Sequence, residues 1–213
     1  MTSVSDPRSL LGLSPFVAPL LEYLEQLTRL AKADQVPAPE VKSYSDALYH
    51  NYYTLGISLM FVANDGSKSI KNIDARSEKL ALDSIDIYNP EIDDEKKDSK
   101  MPSTGLSAQT YSIYPGLPLV LSLPPSTDEQ KARQEEITLS ALSTGKDIVG
   151  ALGEPDRKGG GAGPSSGSIG IWCEWAKDGI MVEFGGPNAT GPQAWERGKE
   201  AKWKVLTLFW RKT

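Results

Sequence analysis

YTLGISLMF (residues 53–61) and WAKDGIMVEF (175–184) lie far apart in the chain, yet each runs from an aromatic residue through a short turn to Gly-Ile, an apolar alternation and a closing Phe. Setting Gly56 on Gly179 places Tyr52 on Trp175, Ile57 on Ile180, Leu59 on Val182 and Phe61 on Phe184. Glycine frees the turn, and alternation marks the buried face of a strand, so both stretches read as β-hairpins. The match predicts one structural unit built twice.

The flanking sequence supports that reading. Upstream, residues 15–33 place Leu20, Leu24, Leu27 and Leu30 or Ala31 on one face at helical spacing, with Glu22, Glu25, Gln26, Arg29 and Lys32 elsewhere. Pro19 is tolerated only in a first turn, so the regular helix is expected to start at Ala18 or Pro19. QVPAPE (35–40) ends it, and LALDSIDIY (80–88) supplies a third strand after the first hairpin. Residues 89–110 are charged and poor in apolar side chains, and they read as a mobile loop.

YPGLPLVLSLPP (114–125) is an apolar run bounded by prolines, expected as an edge strand crossing between halves. A short helix follows in TGKDIVGALGEP (144–155): Thr144 is its N-cap, Asp147 takes the capping-box position, and Gly153 with Pro155 stops it. A Gly/Ser connector leads to three strand candidates, IGIWCEWA (169–176), GIMVEF (179–184) and KWKVLTLFW (202–210). The fold class expected is therefore α+β, two αβββ units with antiparallel sheets covered by helices. They would occupy 1–110 and 111–213, as two lobes or one compact domain.

Composition narrows the function classes. The 213 residues are 39% hydrophobic and 24% charged, with a formal net charge of -5, so a phosphate backbone meets no global attraction and nucleic acid is not an expected partner. No apolar run reaches the ~18 residues of a membrane span, which leaves peripheral association open. The N-terminus carries no basic segment before an apolar run, and there is one cysteine, Cys173. Both fit a cytoplasmic protein in a reducing compartment.

No chemical constellation stands out. Thr144-Gly145-Lys146 lacks the upstream glycine of a phosphate loop and reads as a helix cap. GGGAG (159–163) follows a helix and precedes a strand, the reverse of a dinucleotide-binding turn. His50 is the only histidine, so histidine-based triads and metal sites are incomplete, and it reads as a strand residue with a satisfied ring. Cys173 has no neighbouring cation in sequence to stabilise a thiolate and reads as buried and inert. No catalytic, cofactor or metal-binding residues are expected. All five tryptophans fall in the last 42 residues, and Trp195, in a Gly/Pro/charged loop, is the candidate exposed anchor, with Trp203 and Trp210 beside it.

The succession LALDSIDIYN, YPGLPLVLSL, TGKDIVGALGEPDRKGGG and IWCEWAKDGIMVEF, roughly residues 80–184, resembles the phagosome assembly factor family. In that family a strand precedes a short helix and an alternating hairpin follows. The LGEPD helix end is similar to the αβ modules of SmpA/OmlA-type outer-membrane assembly lipoproteins. The resemblance implies a non-enzymatic adaptor linked to autophagic membranes, and it carries over that class without individual binding residues. The expected function is a cytosolic interaction or adaptor protein with a protein partner. Two alternatives stand beside it: a small enzyme or ligand binder with a cleft between the two units, and an inhibitor or immunity-type protein.

Overall fold

The structure is a computed structural model that describes residues 4–90, 110–125, 134–161 and 170–211. The amphipathic helix α1 spans Ala18–Leu30, with proline in its first turn, and buries Leu20, Tyr23, Leu24 and Leu27. Four strands follow: β1 (Glu40–Ser43), β2 (Leu48–Tyr52), β3 (Ile57–Ala63) and β4 (Leu80–Tyr88). A ribbon of β5 (Leu119–Ser122) and β6 (Glu136–Leu139) leads to α2, Gly145–Leu152. Four more strands complete the chain: β7 (Arg157–Gly159), β8 (Trp172–Trp175), β9 (Ile180–Phe184) and β10 (Trp203–Phe209), with the single turn α3 (Ala194–Arg197) before β10.

The architecture is α+β, and each unit is αββββ rather than αβββ. The additional strands, β1 and β7, are the outermost strands of one eight-stranded antiparallel sheet in the order β1-β2-β3-β4-β10-β9-β8-β7. The proline-bounded segment forms β5, which pairs with β6 in a separate ribbon instead of extending the main sheet. All but the ends of the expected 89–110 loop, and residues 162–169 of the Gly/Ser connector, lie outside the described residues.

The units meet edge to edge where β4 pairs with β10, and Asp86 opposite Thr207 is the middle pair of that ladder. The order reads the same outward from this pair in both directions. Tyr52 faces Ile57 across the first hairpin, and Trp175 faces Ile180 across the second. Both turn glycines take a left-handed backbone, Gly56 at φ +60 and Gly179 at φ +67. The carbonyl of Gly56 accepts from Tyr88 N–H at 2.9 Å, and that of Gly179 from Phe209 N–H at 3.0 Å. Even the irregularities correspond: one register shift falls between Met60 and Phe61, the other opposite Glu183 and Phe184. Asp83 and Lys204 are the extra residues, and each bulge kinks its strand at the same depth in its unit.

Cross-strand rows show where the core sits. His50, Leu59, Ile85, Leu208, Ile180 and Trp175 lie in register, as do Tyr52, Ile57, Ile87, Leu206, Val182 and Cys173. Every one of these side chains is buried. They share one core with the inward leucines of α1, with Ile148 and Leu152 of α2, and with Leu119, Leu121, Ile137 and Leu139 of the ribbon. Phenol–phenol contact between Tyr23 of α1 and Tyr114 adds a buried hydrogen bond. α2 begins as expected, the Asp147 carboxylate accepting from both the backbone N–H and the hydroxyl of Thr144 at 2.8 Å.

Candidate functional site: the open face of the sheet

Between the two apolar rows runs a third row whose side chains take the opposite parity and point away from the helices. Glu40, Asn51, Ser58, Asp86, Thr207, Met181, Glu174 and Arg157 lie in register across all eight strands. The row is largely polar and internally bonded. Ser58 Oγ donates to Asn51 Oδ1 at 2.8 Å, the Tyr111 hydroxyl donates to the same oxygen at 2.7 Å, and Thr207 Oγ1 donates to Asp86 Oδ1 at 2.7 Å. At the outer end Arg157 pairs with the buried Glu174 at 3.3 Å.

Aromatic side chains flank this row on both sides, in positions the repeat relates. Tyr49 in the first unit corresponds to Trp172 in the second, and Tyr88 to Phe209, and all four are partly exposed. Tyr111 stacks on Tyr88 with ring centroids 3.6 Å apart and planes within 3°, while Tyr53 tilts against Tyr111 at 4.6 Å. Tyr44 meets Tyr49 edge-on at 5.6 Å, and the Arg157 guanidinium lies 6.0 Å over the Trp172 ring. Lys42 and the tyrosines enclose a depression of about 310 Å³ with Asn51, Ser58 and Asp86 on its floor, the Lys42 ammonium being paired with Glu40 at 3.3 Å.

Electrostatics mark one residue there. Burial raises the pKa of Asp86 above the usual carboxylate range, the Thr207 hydrogen bond opposes the shift, and repulsion from Glu183 adds to it. Glu183 itself is matched by Lys204 at 3.4 Å. Asp86 thus has a hydroxyl for a partner where its charge calls for a cation. Burial likewise pushes up the phenols of Tyr88 and Tyr49, which stay neutral donors at physiological pH.

The tryptophans singled out in the sequence do not converge. Trp195, on α3, is 43% exposed and stands on the helix side beside Lys158, whose ammonium lies 5.6 Å over its ring. It borders a cleft of about 440 Å³ floored by Ile171, Cys173 and Phe184. Trp210 is exposed beyond the end of β10, against Gly12. Trp203 is a core residue, 1% exposed, which excludes it from a surface contact. Its inward parity in β10, opposite Phe184, puts the indole inside, where its N–H donates to the Ser140 carbonyl at 2.7 Å. Cys173 is buried, and its thiol is pushed up to about 11 by that burial.

Sequence reasoning missed the aromatic face because it assigned aromatic strand residues to the core. The available signal was parity: Tyr49 and Trp172 sit one residue from His50 and Cys173, on the opposite side of their strands. Among the described residues, no group of three or more His, Cys, Asp or Glu is placed to hold a metal ion, and no helix is long and apolar enough to cross a membrane.

Fold and site together define an α+β protein of paired αββββ units, whose eight-stranded sheet turns one face to the core and presents the other as a polar row between aromatic flanks. No protein-family model, no curated protein and no solved structure matches the chain.

Proposed function

We propose that this chain is a non-enzymatic protein-binding module that docks its partner on the open face of the sheet. The observation that carries the reading is the two matched pairs of aromatics, Tyr49 with Trp172 and Tyr88 with Phe209, on either side of the polar row. A strand face turned to water ordinarily carries polar side chains. Large aromatic rings held there by a rigid sheet lose little side-chain entropy on binding, which is why such residues serve as interface anchors. Asp86 specifies the chemistry of the partner: an exposed Lys or Arg that enters the tyrosine-lined depression, gains ring faces on its flanks and compensates the half-buried carboxylate.

Adaptor and inhibitor roles both use such a face. An autophagy-related adaptor role is carried by the family resemblance alone, whereas an inhibitor or immunity-type role needs only one broad docking surface. The enzyme or ligand-binder alternative placed its cleft between the units, where β4 and β10 form a hydrogen-bonded ladder. The test is quantitative capture from the native cell with wild type, the Tyr88→Ala/Trp172→Ala double variant and Trp195→Ala. The same partner is expected with wild type and Trp195→Ala and lost with the double variant. Equal recovery by all three refutes docking on this face, and loss with Trp195→Ala alone moves it to α3. If the captured protein is an enzyme, its activity with and without the bound chain separates inhibitor from adaptor.

A further inference from the structure

Lys158 breaks the apolar pattern of the second unit. It stands opposite Cys173 on β7, and so continues the buried row of Val182 and Cys173 on the helix side of the sheet. Register therefore directs this lysine inward, over the cleft of about 440 Å³ floored by Ile171, Cys173 and Phe184. Its ammonium lies 5.6 Å over the ring of Trp195, which lines the same cleft. An inward charge on an edge strand also guards that edge against pairing, but such a role calls for no second cation.

Two more lysines join it from other elements. Lys146 in the first turn of α2, and Lys199 in the turn of residues 198–200 after α3, line the cleft, and all three lysines are exposed. Against three ammonium groups the lining holds one carboxylate, that of Glu154. None of the three is paired with a carboxylate among the described residues, so a chain of net charge -5 gathers a local excess of positive charge here. The excess reaches the floor: burial dominates the Cys173 thiol, and of the charges Lys158 lowers its pKa more than Glu154 raises it. The cleft is also preformed. Gly145 packs so closely on the Gly198 carbonyl that a Cβ has no room, and its N–H donates to the Ala201 carbonyl at 2.9 Å. Its volume lies within the range of about 300–1,000 Å³ typical of small-molecule sites.

We propose that this cleft binds a small amphipathic organic anion, its apolar body seated on Ile171, Cys173 and Phe184 and its anionic group held among Lys146, Lys158 and Lys199. The apolar body accounts for the floor, and the anion for the three unpaired ammonium groups. A carboxylate and a phosphate monoester meet the rim by the same chemistry. The site lies on the opposite side of the sheet from the docking face and stands or falls independently of it.

The test titrates the full chain with octanoate, octyl phosphate, octanol and octylammonium, which share one body and differ in the head, and follows the methyl NMR signals of Ile171 and Val149 in the cleft. Each exposed ammonium contributes weakly alone, so an anion is expected to bind about tenfold more tightly than octanol at low salt, with octylammonium weakest and the preference shrinking as salt is added. Tighter binding of either anion than of octanol supports the proposal and identifies the head. Lys146→Gln/Lys158→Gln/Lys199→Gln is expected to abolish the preference and leave octanol binding unchanged. Gly150→Leu places a side chain in open space beside the cleft and is expected to weaken every probe. All four substitutions fall at exposed positions, where the fold tolerates change. Octanol binding as tightly as both anions, a preference that survives the triple variant, affinities untouched by Gly150→Leu, or no probe that shifts Ile171 and Val149 overturns the proposal.

Discussion

His50 makes the interior of the first unit measurable by acid. Burial lowers its pKa from 6.5 to about 4, with the Ala75 hydrogen bond acting the other way. The folded state therefore binds fewer protons than the unfolded chain between those values, and stability falls as the pH drops. The contribution is intact above pH 6.5, declines through the window and is lost by about pH 4. At 1.36 kcal/mol per pKa unit, the loss amounts to about 3 kcal/mol. Urea denaturation at a series of pH values between 7 and 4 measures it, and His50→Leu removes this component, so that the variant loses less stability than the wild type over the same window. The imidazole NMR signal reports the same quantity directly, because the chain has one histidine. An imidazole that titrates near 6.5, or a His50→Leu variant with an unchanged pH slope, refutes the burial argument.

Three other expectations follow from the packing. Gly56→Ala and Gly179→Ala each force a Cβ into a left-handed turn and against backbone, the Ser112 carbonyl in one case and the Phe209 carbonyl in the other. Each is expected to lose at least about 1–2 kcal/mol in chemical denaturation, and closely matched losses support the equivalence of the units. Trp203→Ala opens the core and is expected to cost about 3–5 kcal/mol, whereas Trp195→Ala stays within about 0.5 kcal/mol by the same assay. Asp147→Ala removes the carboxylate half of the α2 capping box, leaving Thr144 in place, at a cost of up to about 1 kcal/mol. Because Thr144 holds the Asp147 pKa below the usual range, that difference is present at neutral pH and closes as the pH falls through the folded value.

The fold was legible wherever local chemistry decides it. The hairpin glycines Gly56 and Gly179, the leucine stripe of α1 and the Thr144/Asp147 cap each specify a conformation within a few residues, and each forms as the sequence implies. The outermost strands were not legible. β1 (EVKS) and β7 (RKG) are short, and their side chains face solvent almost throughout, so neither carries an apolar alternation. An edge strand protected by charge looks like a connector in sequence.

The open face was hidden for a different reason. Its polar row exists only because β4 pairs with β10, so that Asp86 meets Thr207 more than a hundred positions away. A one-residue slip in that ladder would exchange the faces of one unit relative to the other. Aromatic residues on strands also favour either side, and only register shows that Tyr49, Tyr88, Trp172 and Phe209 stand outside while Tyr52, Phe61, Trp175 and Phe184 stand inside.

Photo-cross-linking tests the docking face most directly. A benzophenone amino acid in place of Tyr88, on the aromatic flank, is compared with one in place of Leu142, which is 70% exposed and lies outside that face. Irradiation in the native cell is expected to join one defined protein to position 88, to leave position 142 unlinked, and to lose the adduct when Asp86→Lys is added. Equal adducts at both positions, or an adduct at position 142 alone, would contradict docking on the open face.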